Sequence, residues 1–131
     1  ERSNKPSEEY LLLKEQYTHL SIRTWLLAKK QYDNCRMNIV HGLYFYSADC
    51  GECVKQGEQI DRLSKMVSSA GSSIIMFPID INSKESVIQN LKRYYGINST
   101  PAVIINDKVF QGRLFRAAEL VPLNLTMKNG R

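Results

Sequence analysis

The sequence predicts an α/β fold in which a mixed β-sheet is flanked by helices, with an extra long helix at the N-terminus. Three observations carry this prediction. Stretches of helical periodicity alternate with short apolar runs in the order helix, strand, helix, strand, helix, strand, strand, helix. The last two strands are separated only by Asn106-Asp107, a pair suited to a tight turn. Finally, Cys50-Gly51-Glu52-Cys53 lies between the apolar run Gly42-Leu43-Tyr44-Phe45-Tyr46 and a helical stretch, at a strand-to-helix junction.

The first helix is predicted over 7–34. Pro6 breaks the preceding chain, Ser7 serves as N-cap, and Glu8 and Glu9 complement the positive end of the helix dipole. Tyr10, Leu13, Tyr17, Leu20, Thr24 and Leu27 recur at alternating three and four residue steps, the spacing of a seam, while Leu12, Ile22, Trp25 and Leu26 widen the apolar surface. Six seam positions fall short of the three to four heptads of a sustained coiled coil. Packing across its own domain is therefore the preferred role of this helix; the sharper alternatives are pairing with a partner helix or a second copy, or leading from a membrane anchor.

Residues 39–46 read as a buried strand. The turn Ser47-Ala48-Asp49 then delivers the chain into a helix starting near Cys50, with Asp49 as N-cap and Glu52 completing a capping box. Ile60, Leu63 and Val67 mark its apolar face, and 68–73, around Gly71, end it. A second strand occupies 73–79. Asn82 and Ser83 cap a helix bearing Val87, Ile88 and Leu91, which runs to Tyr95 and is stopped by Gly96. After Pro101 come a strand over 102–105, the Asn106-Asp107 turn, a return strand over 109–111 and a final helix over 114–120. The first two strands, joined by a crossover helix, should be parallel and the last hairpin antiparallel. This divides the chain into an N-terminal helical extension (1–37), an α/β domain (38–121) and a C-terminal tail (122–131).

At 131 residues, 43% hydrophobic and 24% charged, the chain is long enough for a core that needs no metal or disulfide staple. Its net charge of +5 is spread from Arg2 to Arg131 without a dense basic block, a pattern of a solvated surface rather than of nucleic-acid binding. No run approaches the roughly 20 apolar residues of a membrane helix. The chain begins with Glu1 rather than Met and lacks a signal-peptide pattern, so it reads as a mature or trimmed segment. The sequons Asn98-Ser99-Thr100 and Asn124-Leu125-Thr126 are short, common patterns and receive no function.

Two thiols three positions apart at the start of a helix can close a disulfide reversibly. Unpaired backbone N–H groups and the helix dipole there favour Cys50 as a thiolate, the form that attacks disulfides. Half a zinc site would need a second Cys or His pair, whereas Cys35, His19 and His41 are scattered singly, so no metal and no cofactor are predicted. A purely structural bridge across so small a loop adds little stability. Cys35, near the end of the first helix, reads as a packed, unreactive thiol.

The element order, the CxxC junction, the segment Pro78-Ile79-Asp80-Ile81-Asn82 and above all Tyr95-Gly96-Ile97-Asn98-Ser99-Thr100-Pro101-Ala102 together resemble the thioredoxin superfamily, over roughly residues 39–120. The resemblance implies a thioredoxin-like mixed sheet and a cis proline at Pro101 beside the cysteines, with Thr100 and Pro101 offering backbone to an extended substrate segment. It implies a thiol–disulfide oxidoreductase of protein substrates, served by a redox partner protein, in which Cys50 attacks and Cys53 resolves. Glu52 and Lys55 are the candidates for proton relay or for tuning of Cys50. This chain departs from thioredoxins proper in Asp49-Cys50-Gly51-Glu52-Cys53, which lacks the flanking aromatic and central proline, and in Tyr44, which replaces the buried acid six residues before the first cysteine. Negative charge at Glu52 disfavours the thiolate, so reduction or isomerisation is expected over oxidation. The rival function is a non-catalytic binding module that uses the Pro101 groove and the long helix. An extracytoplasmic location, with a membrane tether upstream of Glu1, is expected from the combination of these features; a cytoplasmic one is the alternative.

Overall fold

The computed structural model describes residues 7–35 and 39–122, with 31–35 described as backbone only. Its elements are α1 (Glu8–Cys35), β1 (Ile39–Tyr46), α2 (Cys53–Ser69), β2 (Ser73–Asp80), α3 (Ser86–Tyr95), β3 (Ala102–Ile105), β4 (Lys108–Gln111) and α4 (Ala117–Leu120). This is the mixed four-stranded sheet flanked by helices, preceded by a long helix, that the sequence predicts. The strand order is β2-β1-β3-β4. β1 and β2 are parallel, from Ile39 opposite Ser73 to Tyr46 opposite Asp80. β3 runs antiparallel to both β1 and β4. Asn106 and Asp107 turn the final hairpin with φ of 49° and 74°, a left-handed pair that asparagine and aspartate tolerate better than most residues.

Side chains alternate across the central strands and bury both faces. On one face Leu43, Phe45, Ala102 and Ile104 pack with Ile79, with Ile88 of α3 and with Ile22 and Trp25 of α1. On the other, Val40, Val103 and Ile105 pack with Ile60, Leu63 and Val67 of α2 and with Ala117 and Leu120 of α4. Gly42 sits in the middle of β1 because a Cβ there would lie 2.2 Å from the carbonyl oxygen of Ile104 on the neighbouring strand.

α1 opens as the sequence predicts: the Ser7 Oγ accepts the Tyr10 N–H at 3.0 Å. It packs on its own domain, but through Thr18, Ser21, Ile22, Trp25 and Ala28, all buried. The predicted seam is a different stripe, and Tyr10, Leu13, Tyr17, Leu20 and Leu27 remain exposed. Among the described residues, ion pairs from Lys14 to Asp80 and from Lys29 to Asp107, each at 2.7 Å, and a hydrogen bond between His19 and Glu85 at 2.8 Å hold the helix in place. Tyr95 donates its hydroxyl to the other oxygen of Asp107 at 2.6 Å, so that carboxylate joins α1, α3 and the hairpin tip. Pro6, the sequon at Asn124 and the tail beyond Pro122 lie outside the described residues, as does the side chain of Cys35.

Three predicted helix starts are corrected. α2 begins at Cys53, not near Cys50, and the Asp49 to Glu52 capping box is absent. Cys50, Gly51 and Glu52 form a turn in which the Cys53 N–H reaches the Cys50 carbonyl at 3.3 Å, so the first helical bond runs from Gln56 to the Glu52 carbonyl at 2.9 Å. Asp49 stands a turn too early to cap it. α3 begins at Ser86 rather than at Asn82 and Ser83. Asp80 accepts the Asn82 N–H at 2.9 Å and Ser83 accepts the Glu85 N–H at 3.2 Å, so local side-chain turns hold this stretch out of the helix. The last helix is a single turn, because both backbone groups of Phe115 are bound by Gln56 and the preceding residues stay extended.

Candidate functional site

The site is built on the loop that leaves β1 at its carboxyl end. The Cys50 N–H donates to the Ser47 carbonyl at 3.3 Å and the Cys53 N–H to the Cys50 carbonyl, which folds 47–53 into two successive turns. Cys50 and Cys53 form a disulfide with their Cα atoms 5.3 Å apart, well within the span a disulfide bridges without backbone movement. The two sulfurs sit in different surroundings. Cys50 is half-buried at the loop, whereas Cys53 opens α2 and is only 7% exposed.

Below them, the Tyr44 hydroxyl donates a hydrogen bond to the Cys53 carbonyl. Burial, assisted by the neighbouring Tyr46, raises the Tyr44 pKa above its ordinary value, so this residue stays a protonated donor throughout the physiological range. It pins the first turn of α2 from the sheet side. Glu52 and Lys55 are exposed on the surface around the cysteines.

Opposite the cysteine loop lies the segment between α3 and β3. Gly96, at φ 69°, ends α3 in the left-handed conformation, and the Thr100–Pro101 peptide bond is cis. Pro101 is buried. The loop is fastened by one side chain that sequence reasoning missed: Gln111 donates to the Gly96 carbonyl at 2.8 Å and accepts from the Asn98 N–H at 3.1 Å and the Ser99 hydroxyl at 3.3 Å. No sequence signal marks it, since a polar residue at a strand end is ordinary. The second missed residue is Ser47, whose hydroxyl meets that of Thr100 at 2.9 Å and links the two halves of the site. Between them is a polar cavity of about 270 Å³ lined by Ser47, Asp49, Asn82, Lys92, Ser99 and Thr100. Lys92 is fixed there by donating to the Ile81 carbonyl at 2.8 Å. The structure thus brings Cys50, Cys53, Ser47 and Thr100 into one loop cluster.

Among the described residues, the group able to hold a metal ion is Glu15, His19 and Glu85, with donor atoms within 4.8 Å of one another. It is a surface cluster between α1 and the start of α3, already joined internally by the His19–Glu85 pair, and it includes neither cysteine. No helix among the described residues is long and apolar enough to cross a membrane.

No protein-family model matches this chain, and no curated protein matches it either. Solved structures do. A thioredoxin-like protein from Clostridium perfringens is 18% identical, with 75% of each chain covered and a TM-score of 0.50. Thioredoxin-2, a component of the malaria parasite protein secretion machinery, is 24% identical over 70% of this chain and 84% of its own, with a TM-score of 0.48. From its sheet order, its helices on both faces and the match to the Clostridium perfringens protein, the chain has the thioredoxin-like fold.

Proposed function

We propose that the protein is a thiol–disulfide oxidoreductase acting on protein substrates. The observation that carries this reading is the asymmetry of the bridged pair: Cys50 is accessible at the loop and Cys53 is buried at the start of α2. A substrate reaches the first sulfur and is released by the second. In the reducing direction the Cys50 thiolate attacks a substrate disulfide; a mixed disulfide forms and one substrate thiolate leaves. The Cys53 thiolate then attacks the Cys50 sulfur, the second substrate thiolate departs, and the Cys50–Cys53 disulfide holds the two oxidising equivalents. A dithiol redox partner returns the pair to the reduced state by the same two exchanges in reverse. The backbone around Thr100 and the cis Pro101, held to the cysteine loop through Ser47, supplies a surface for an extended substrate segment.

Reduction or isomerisation is the direction we favour. Cys50 lies outside the first turn of α2, which begins at Cys53, so the helix terminus acts on it less directly than at a helical position, and Glu52 adjoins it. A less stabilised thiolate makes the disulfide a weaker oxidant. Lasting protein disulfides arise in oxidising compartments, and that chemistry favours a location outside the cytoplasm. The location of the full-length gene product, observed in its native cell, tests this.

The test of the activity is a trapping experiment joined to a potential measurement. Cys53→Ser should accumulate mixed disulfides with substrate and Cys50→Ser should form none. Equilibration with glutathione should give a defined midpoint for the wild-type pair, nearer about −270 mV than about −120 mV. A pair that never equilibrates would leave the chain as a binding module, and full activity in the Cys50→Ser variant would end the assignment of roles.

A further inference from the structure

α1 is longer than its contact with the sheet requires, and it carries two apolar stripes. The first, Thr18, Ser21, Ile22, Trp25 and Ala28, is buried against the domain. The second lies roughly a quarter-turn round the helix. In it Leu13, Leu20 and Leu27 recur every seven residues, with Tyr10 ahead of the row and Tyr17 between its first two leucines; at exposures of 59%, 62%, 58%, 52% and 44% all five stay open to solvent, Tyr10, Leu13 and Tyr17 at the mouth of a groove against Tyr46 and Pro78. From Tyr10 to Leu27 the stripe is about 26 Å long. A contiguous apolar row of this kind on a soluble surface marks an interaction site.

We propose that the stripe pairs with the same stripe of a second copy of this chain, the two helices running antiparallel. The inference goes beyond the redox reading and does not depend on it. Running antiparallel about a twofold axis between residues 18 and 19, the seam stacks Tyr10 on Leu27 of the second copy, Leu13 on Thr24 and Tyr17 on Leu20. Each aromatic ring then meets an aliphatic side chain. The same register sets Glu9 beside Lys30 of the second copy and Gln16 beside Arg23, and the symmetry repeats each pair. Glu9, Gln16, Arg23 and Lys30 are all exposed and in position to flank such a seam. A parallel pairing would stack each tyrosine on itself and turn Glu9 towards Lys14, whose ammonium is already held by Asp80 at 2.7 Å. The charge pattern therefore selects the antiparallel arrangement.

Sedimentation velocity of the full chain under reducing conditions, from micromolar to millimolar concentration, tests the proposal without interference from intermolecular disulfides. A reversible dimer is expected. Leu20→Glu, at an exposed position that leaves the domain core untouched, should weaken it about tenfold or more, with an unchanged far-UV spectrum. Glu9→Lys and Lys30→Glu should each weaken the dimer, and the double variant should recover it, because the pair is then only reversed in sign. A chain monomeric at every concentration, or a dimer indifferent to Leu20→Glu, would overturn the proposal. A dimer that the double variant fails to recover would overturn the antiparallel register. Leu20-dependent binding of a monomer to anionic phospholipid vesicles would replace the second copy with a lipid surface.

Discussion

The hydroxyls of Ser47 and Thr100 lie 2.9 Å apart, one on the loop that carries Cys50 and the other on the residue before the cis Pro101. Ser47 is buried, and its carbonyl also accepts the Cys50 N–H, so one residue positions both the thiol and the opposing backbone. Ser47→Ala should remove the link and keep the disulfide. A hydrogen bond of this kind is worth about 1 kcal/mol, so binding of a protein disulfide should weaken about fivefold. Steady-state kinetics should show the loss in KM more than in kcat, with the glutathione midpoint nearly unchanged.

Gly42→Ala should destabilise the fold. The new methyl would meet the Ile104 carbonyl at 2.2 Å, and although Met76, whose Sδ would lie at 2.9 Å, can swing aside, the strand backbone cannot. Overpacking of this sort costs about 1–3 kcal/mol, and this site belongs at the upper end because a backbone atom is struck. Urea denaturation followed by far-UV circular dichroism measures it.

Gln56 is fully buried and forms a two-way bond with Phe115, accepting its N–H and donating to its carbonyl, each at 2.9 Å. Gln56→Leu preserves bulk but orphans both backbone groups of Phe115. The expected loss is about 2 kcal/mol. Amide hydrogen exchange should accelerate first around 114–120, where this side chain fixes the approach to α4, before it does so in β1.

The fastening of α1 should weaken in acid. Burial pushes the carboxyls of Asp80 and Asp107 up, but the bonds to Lys14, and to Lys29 with Tyr95, outweigh it and hold both below the usual range. Groups lowered in the folded state add stability that is fully present above the ordinary value of about 3.9 and is lost as pH falls through the folded values. Because these pairs are partly exposed, each contributes no more than about 1 kcal/mol. Trp25 is the one tryptophan of the chain and is buried on the face of α1 that packs on the sheet, so its emission should shift to the red as pH falls below about 4. In an Asp80→Asn, Asp107→Asn variant the shift between neutral pH and acid should be smaller, since the titrating partners are gone.

The strands were legible because their apolar runs are short and bounded by turn residues, and β1 and β3 occupy the ranges their composition implies. The helix starts were less so. Asp49 and Glu52 have the chemistry of a capping box, but the closed Cys50–Cys53 pair folds the intervening residues into a turn, a tertiary constraint that local spacing does not encode. The same holds for α1. Its periodicity revealed a seam but could not rank two apolar stripes on one helix. The deciding feature is the set of small residues, Thr18, Ser21 and Ala28, around Trp25, which lets the helix approach the sheet where the leucine row would hold it away. Of the candidate site, the Cys50–Cys53 pair and the cis bond at Thr100–Pro101 were readable from motif. Ser47 and Gln111 were not, because they act through contacts that exist only once the chain is folded.

Pro78 lies on β2, at one margin of the sheet, and this bears on how the molecule avoids fibrous self-association. The Ile81 N–H points inward to Tyr46, so by alternation along the strand the N–H that Pro78 lacks would have pointed outward. Among the described residues no strand pairs with the outer rim of β2, and that rim has a gap in its donor row, so an incoming strand could not zip along its whole length. At the opposite margin β4 is only four residues long. For the proposed exchange with protein substrates the consequence is that an extended segment lying along the β2 margin cannot be taken up as a further strand, so strand addition there does not compete with contact at the cysteine loop.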